Sequence, residues 1–92
     1  NQRGNKMSNW KEMIECAMNE NGESWCDVES NTMTEDEMNN EFDAGCSASI
    51  EGCPFTIWTK NRVYFPICYD GVEWVGSVSR NPDGKPTEHQ GG

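Results

Sequence analysis

An α+β fold, two short helices packed on a three- or four-stranded antiparallel β-meander, follows from three observations on these 92 residues. Trp10, Met13, Ile14, Ala17 and Met18 recur at helical spacing and draw a single apolar stripe. Thr34 and Glu37 form a T-x-x-E start signal ahead of Met38 and Phe42. Beyond residue 53 the chain turns to aromatic and β-branched runs, punctuated by Asp70-Gly71.

The first helix is expected over roughly Trp10 to Asn21. Asn9 with Glu12 three residues on is a variant of the capping box, and Gly22 stands where a left-handed residue closes a helix. The link from Glu23 to Met33 carries Ser-Trp-Cys-Asp-Val, which suits a short strand. A second helix is expected from Glu35 to Asp43. Met33 and Met38 occupy the two positions of a hydrophobic staple, while Glu35, Asp36 and Glu37 crowd the first turn, where the helix dipole favours anions. Gly45 ends it.

Phe55–Thr59, Arg62–Cys68 and Val72–Val78 read as the three strands of the meander. Asp70-Gly71 suits a type I′ turn, which needs positive φ at both positions. That turn sets Tyr69 against Val72, Ile67 against Trp74, Phe65 against Gly76 and Val63 against Val78. These residues make the expected core face, with Gly76 leaving room for the Phe65 ring. A second two-residue turn at Lys60-Asn61 adds Trp58 to that face and sets Cys53 opposite Cys68. The other face collects Phe55, Ile57, Tyr64, Pro66 and Val75, too apolar to leave in water. Either each helix covers one face, or Phe55, Ile57, Tyr64 and Val75 are an interface. Pro66 removes a ladder hydrogen bond and argues for a bulge.

One domain is expected over residues 9–78, with an acidic helical half at 9–45 and the meander at 53–78. Residues 1–8 read as a flexible tail, with Met7 a candidate natural start, and residues 79–92 as a turn-rich tail.

Sixteen acidic and seven basic residues leave a net charge of −9. The acidity is concentrated: from Glu12 to Thr59 there are twelve acids and no Lys or Arg. Direct binding of nucleic acid or of an anionic membrane is excluded on that balance, because phosphates demand clustered bases. No apolar run approaches the roughly 20 residues of a bilayer span, and no signal-peptide core is visible. A bacterial cytoplasmic protein is the expectation.

Little in the chain suits catalysis. Five cysteines cannot all pair, no CxxC occurs and His89 is the single histidine, so neither a disulfide framework nor a zinc site is expected. Asn19-Glu20-Asn21-Gly22 echoes part of a calcium loop but lacks the remaining ligands. Cys53 and Cys68 read more simply as buried thiols than as a redox pair. A thiol nucleophile would need His89, which sits in a Gly/Pro-rich tail unable to hold a base in place. No enzyme, metal or cofactor is expected.

The segments Phe55-Thr56-Ile57-Trp58, Arg62-Val63-Tyr64-Phe65-Pro66, Tyr69-Asp70-Gly71-Val72-Glu73-Trp74-Val75 and Arg80-Asn81-Pro82 resemble the C-terminal parts of small uncharacterised proteins of bacteriophages and prophages. The resemblance spans some 40 residues and implies a phage context. Small acidic proteins of that class, by analogy, inhibit host defence as anti-restriction or anti-CRISPR proteins. The expected function is thus a non-catalytic inhibitor, a nucleic-acid mimic, that meets the basic surface of a nucleic-acid-handling protein through Glu12, Glu15, Glu35, Asp36, Glu37, Glu41 and Asp43. The plainer reading of those carboxylates is a solvating face. The alternative function is an adaptor that forms a homodimer or docks through the Phe55, Ile57, Tyr64 and Val75 face.

Overall fold

The computed structural model describes residues 7–45 and 49–90. The tail expected at residues 1–6, and Cys46, lie outside the described residues. The described elements are β1 (Met7–Ser8), α1 (Trp10–Glu20), a 3-10 turn (Trp25–Asp27), β2 (Val28–Asn31), α2 (Glu35–Asn39), β3 (Phe42–Asp43), β4 (Ile57–Thr59), β5 (Arg62–Tyr69) and β6 (Val72–Ser79). They form an α+β architecture with an antiparallel sheet ordered β2-β4-β5-β6 and a separate β1-β3 pair.

Helix α1 starts where its cap dictates, with Asn9 Oδ1 accepting the Glu12 N–H at 2.8 Å. It closes in a Schellman arrangement: Gly22 adopts φ 72°, and the Glu23 N–H reaches back to the Met18 carbonyl at 2.8 Å. The stripe does what its spacing demands, since Trp10, Ile14 and Met18 are all but fully buried. Helix α2 carries both bonds of its capping box, Glu37 N–H to Thr34 Oγ1 and Thr34 N–H to Glu37 Oε1. Both staple methionines, Met33 and Met38, are buried.

Helix α2 is shorter than expected. The chain leaves the helix at Asn40, in extended conformation, and Phe42-Asp43 pair with Met7-Ser8 instead. Asn39 and Asn40 are weak helix formers, and the strand conformation sets the Phe42 ring 5.1 Å from Trp10. Met7 and Ser8, expected in the tail, are part of the fold.

The register of the meander is as expected: Tyr69↔Val72 through Arg62↔Ser79, and Ile57↔Tyr64 beside Trp58↔Val63. Asp70 and Gly71 take φ 53° and 81° in the turn. No bulge interrupts β5 against β6. Alternation along the ladder turns the nitrogen of Pro66 toward β4, and that ladder has ended at Ile57↔Tyr64. Proline therefore displaces no hydrogen bond there.

The faces are the reverse of the expectation. Both helices pack on the side that carries Phe55, Ile57, Tyr64 and Val75; the first three are core residues and Val75 packs against them. These four are thus not an interface but the heart of the molecule. Of the expected core face, only Ile67 and Gly76 are buried; Trp58, Val63, Phe65, Trp74 and Val78 are half-buried. Tyr69 and Val72 are 56% and 41% exposed. The room above Gly76 is taken by Ile67 rather than by the Phe65 ring, for a Cβ at Gly76 would run into the Ile67 side chain.

The inner face also carries the polar Thr59, Glu73 and Ser77, with the Thr59 hydroxyl bonded to Glu23 and the Ser77 hydroxyl to the Arg62 guanidinium. Each is satisfied there. Glu73, 4% exposed, accepts the Glu51 and Gly52 N–H groups at 2.7 and 3.0 Å and so pins the loop before β4 to the sheet. Gly52 has no room for a side chain, since a Cβ would lie 2.6 Å from Trp10 and 2.7 Å from Phe42.

Candidate acidic binding surface

The seven carboxylates expected to meet a partner divide by what they already do. Glu12, Asp36 and Glu41 are exposed on α1, α2 and the segment after it. Glu35 is exposed too and faces Lys11 at 3.5 Å across the α1–α2 seam. Surface pairs of this kind contribute only ~0–1 kcal/mol and hold no charge out of water. Glu15 accepts the Trp25 indole N–H at 2.8 Å, tying the 3-10 turn to α1. One Glu37 oxygen is committed to its capping box, and Asp43 Oδ1 accepts the Gly45 N–H at 3.1 Å. Local structure thus occupies Glu15, Glu37 and Asp43 in part, while Glu12, Glu35, Asp36 and Glu41 present charge outward.

Across the whole acidic stretch the only buried carboxylate is Glu23, and eight of the twelve acids, with Glu20, Glu29 and Glu51 among them, are exposed. A cleft of about 320 Å³ opens beside α2, walled by Asp36, Glu37 and Glu51 over Trp10 and Phe42, with Cys53 at its side. Burial, and the negative charge of Glu37, push the Cys53 thiol up from its ordinary pKa. A thiolate is thereby disfavoured, which suits an inert cysteine. Cys16, Cys26, Cys53 and Cys68 are all free thiols. The ladder that would set Cys53 opposite Cys68 does not extend past Ile57.

Two carboxylates with the most defined surroundings escaped sequence reasoning. Glu23 is 8% exposed and accepts the Thr59 hydroxyl, 2.9 Å from each of its oxygens, and the Tyr64 hydroxyl at 2.7 Å. Burial first, then the hydrogen bond to Glu23, pushes the Tyr64 phenol up to about 12. Glu73 is the other, holding the 51–52 loop. The signal for Glu23 was its place just after the helix-closing Gly22, where the Schellman turn folds the chain back onto the core. For Glu73 it was its period-2 spacing with Val75.

Among the described residues no group of three His, Cys, Asp or Glu side chains is placed to hold a metal ion. No helix of the described residues is long and apolar enough to cross a membrane. No family model, curated protein or solved structure matches this chain.

Proposed function

We propose that this chain is a non-catalytic acidic binding protein, an inhibitor of phage type that occupies the basic nucleic-acid-binding surface of a host protein. The observation that carries the reading is the distribution of charge. Twelve acids fall in a 48-residue stretch without one Lys or Arg, and eight of them are exposed. A surface that only solvates mixes both signs. A predominantly negative surface, on which Lys11 and Arg80 pair with only Glu35 and Glu29 among those exposed acids, attracts a counter-charged channel over a Debye length of roughly 8–10 Å at physiological salt, and such complementarity governs partner choice and association rate.

Glu12, Glu35, Asp36 and Glu41 are the contacts this reading puts first, because their charge is not committed to capping or to an indole. The adaptor alternative loses its stated surface, since Phe55, Ile57 and Tyr64 are 5%, 0% and 0% exposed. The test is capture of proteins from a bacterial lysate on the immobilised chain, followed by elution with salt and, separately, with a short DNA duplex. Retained nucleic-acid-handling proteins that leave with either eluent, and that an Asp36→Lys/Glu41→Lys variant fails to retain, are the expected result. Retention that survives both the double reversal and high salt sinks the proposal.

A further inference from the structure

Strand β6 is an edge of the four-stranded sheet. The two-residue turn makes Tyr69 and Val72 a hydrogen-bonded pair, and such pairs alternate along the ladder. Val72, Trp74, Gly76 and Val78 therefore direct their backbone groups to β5, while Glu73, Val75, Ser77 and Ser79 direct theirs away from the sheet. The Ala44 carbonyl meets the Glu73 N–H at 2.8 Å, and among the described residues no backbone bond reaches Val75 or Ser77.

Exposed edges are ordinarily guarded by charge, proline, a bulge or shortness. None of these protects β6. It runs eight residues, Val72–Ser79, in unbroken register with β5. Its one charge, Glu73, is 4% exposed and is committed to the 51–52 loop.

What lies beside this edge is the chain's own C-terminal segment. Arg80 is anchored to Glu29 and to the Thr59 carbonyl. From there to Gln90 the chain forms neither helix nor strand and is exposed throughout. It nevertheless returns to β6, with Gln90 Oε1 3.0 Å from where a Cβ on Gly76 would stand. An open groove of about 730 Å³ has Ser77, Val78 and Ser79 among its lining residues on the strand, and Thr87, Glu88 and Gln90 on the returning segment. Two of the segment's hydrogen bonds, Lys85 N–H to Asp83 and the Gln90 amide to the Glu88 carbonyl, close within the segment itself.

We propose that residues 82–90 are a strap that guards the β6 edge, and that displacing it opens the edge to antiparallel pairing with β6 of a second copy of this chain. One strand paired with itself about a two-fold axis is self-complementary. Centred on Gly76, that pairing sets Val75 of each copy opposite Ser77 of the other, so the free outward-facing backbone groups of these two residues meet while the Glu73 N–H keeps the Ala44 carbonyl. It also continues the half-buried outer surface of Trp74 and Val78 across the join. Each chain carries a net charge of −9, so like-charge repulsion opposes the pairing and added salt tightens it. Docking through the acidic surface has the opposite salt dependence, and the strap does not depend on that function.

Sedimentation velocity over a concentration series, at low and high salt, tests this on four chains. They are the full chain, a chain ending at Asn81, a full-length chain with residues 82–90 replaced by Gly and Ser, and the last of these carrying Ser77→Pro. Circular dichroism reports whether each is folded. Both copies must open, so a strap seated in about nine molecules of ten makes dimerisation of the full chain about a hundredfold weaker than that of the two opened chains. Both opened chains are expected to dimerise more tightly at high salt. Ser77→Pro removes an outward N–H, and with it the hydroxyl that Arg62 and Asn21 donate to, but leaves the β5 ladder intact; a folded opened chain that carries it returns to monomer. Folded opened chains that stay monomeric overturn the proposal, as does a full chain that dimerises equally well or a dimer indifferent to Ser77→Pro. Loss of folding in both opened chains makes the segment part of the fold and overturns it too.

Discussion

Tyr64 and Glu23 meet where the C-terminal turn of α1 touches the sheet, and their hydroxyl–carboxylate bond is 2.7 Å long. Removing the hydroxyl leaves the carboxylate to Thr59 alone. Hydrogen bonds to charged groups contribute roughly 1.5–3 kcal/mol, so Tyr64→Phe should lose about that much in urea unfolding. The same pair predicts an alkaline signature. The Tyr64 phenol stands near 12 in the folded protein against an ordinary value of 10.0. Below pH 10 both states keep the proton and the contribution is fully present. As pH rises from 10 toward 12 the unfolded chain releases its proton first, so stability falls, by up to about 2–3 kcal/mol. Tyr64→Phe should remove that part of the pH dependence, while in a Tyr69→Phe background the phenolate absorbance reads Tyr64 directly. A folded Tyr69→Phe variant in which Tyr64 ionises near pH 10 would contradict the buried pair.

At the scale of elements, α2 has only five residues, far below the roughly 12–15 that an isolated helix needs. Its caps and its packing must hold it. Thr34→Ala removes one bond of the capping box and should cost about 1 kcal/mol, with the loss of amide protection concentrated in Glu37 and Met38. A cost spread evenly over the whole chain, with no local loss of protection, would show that packing alone sustains the turn. Sequence made this element legible at its start, where the T-x-x-E pattern and the staple are local chemistry. Its end was not legible, because Phe42-Asp43 became a strand by pairing with Ser8 and Met7, partners 34 and 36 residues away. Local propensity has no access to such a partner. The candidate surface divides the same way. Charge along the chain nominated Glu12, Asp36 and Glu41, whereas the internal duty of Glu15, which accepts the indole N–H of Trp25 ten residues on, depends on which groups the fold brings within reach.

For the whole molecule, the surplus of carboxylates opposes compaction. Its two described salt bridges, Lys11–Glu35 and Arg80–Glu29, are both solvent-accessible and contribute only ~0–1 kcal/mol each. Mutual repulsion among eight exposed acids in one stretch outweighs them. Raising ionic strength from about 0.01 M to about 0.15 M shortens the Debye length from roughly 30 to 8 Å. Stability should rise with it by about 1 kcal/mol, or roughly 4–8 °C in the thermal midpoint of a chain this size. A midpoint that falls with added salt would show that the ion pairs outweigh the repulsion.

Sequence by itself determined the α+β class, the start and stop of α1, the turn at Asp70-Gly71 and the register it imposes. All of these rest on contacts within a few residues or on a period that the chain carries openly. The tertiary structure alone decided which face of the sheet is inside. Along β4, β5 and β6 both alternate sets are apolar, so a period of two marks two faces without ranking them. The ranking came from polar satisfaction. Thr59 and Glu73 can sit under the helices because Glu23 and the 51–52 loop arrive from elsewhere in the chain to bond them. The helices pack on that inner face with Phe55, Ile57 and Tyr64, and Trp58, Phe65 and Trp74 on the outer one are left half-covered at the surface.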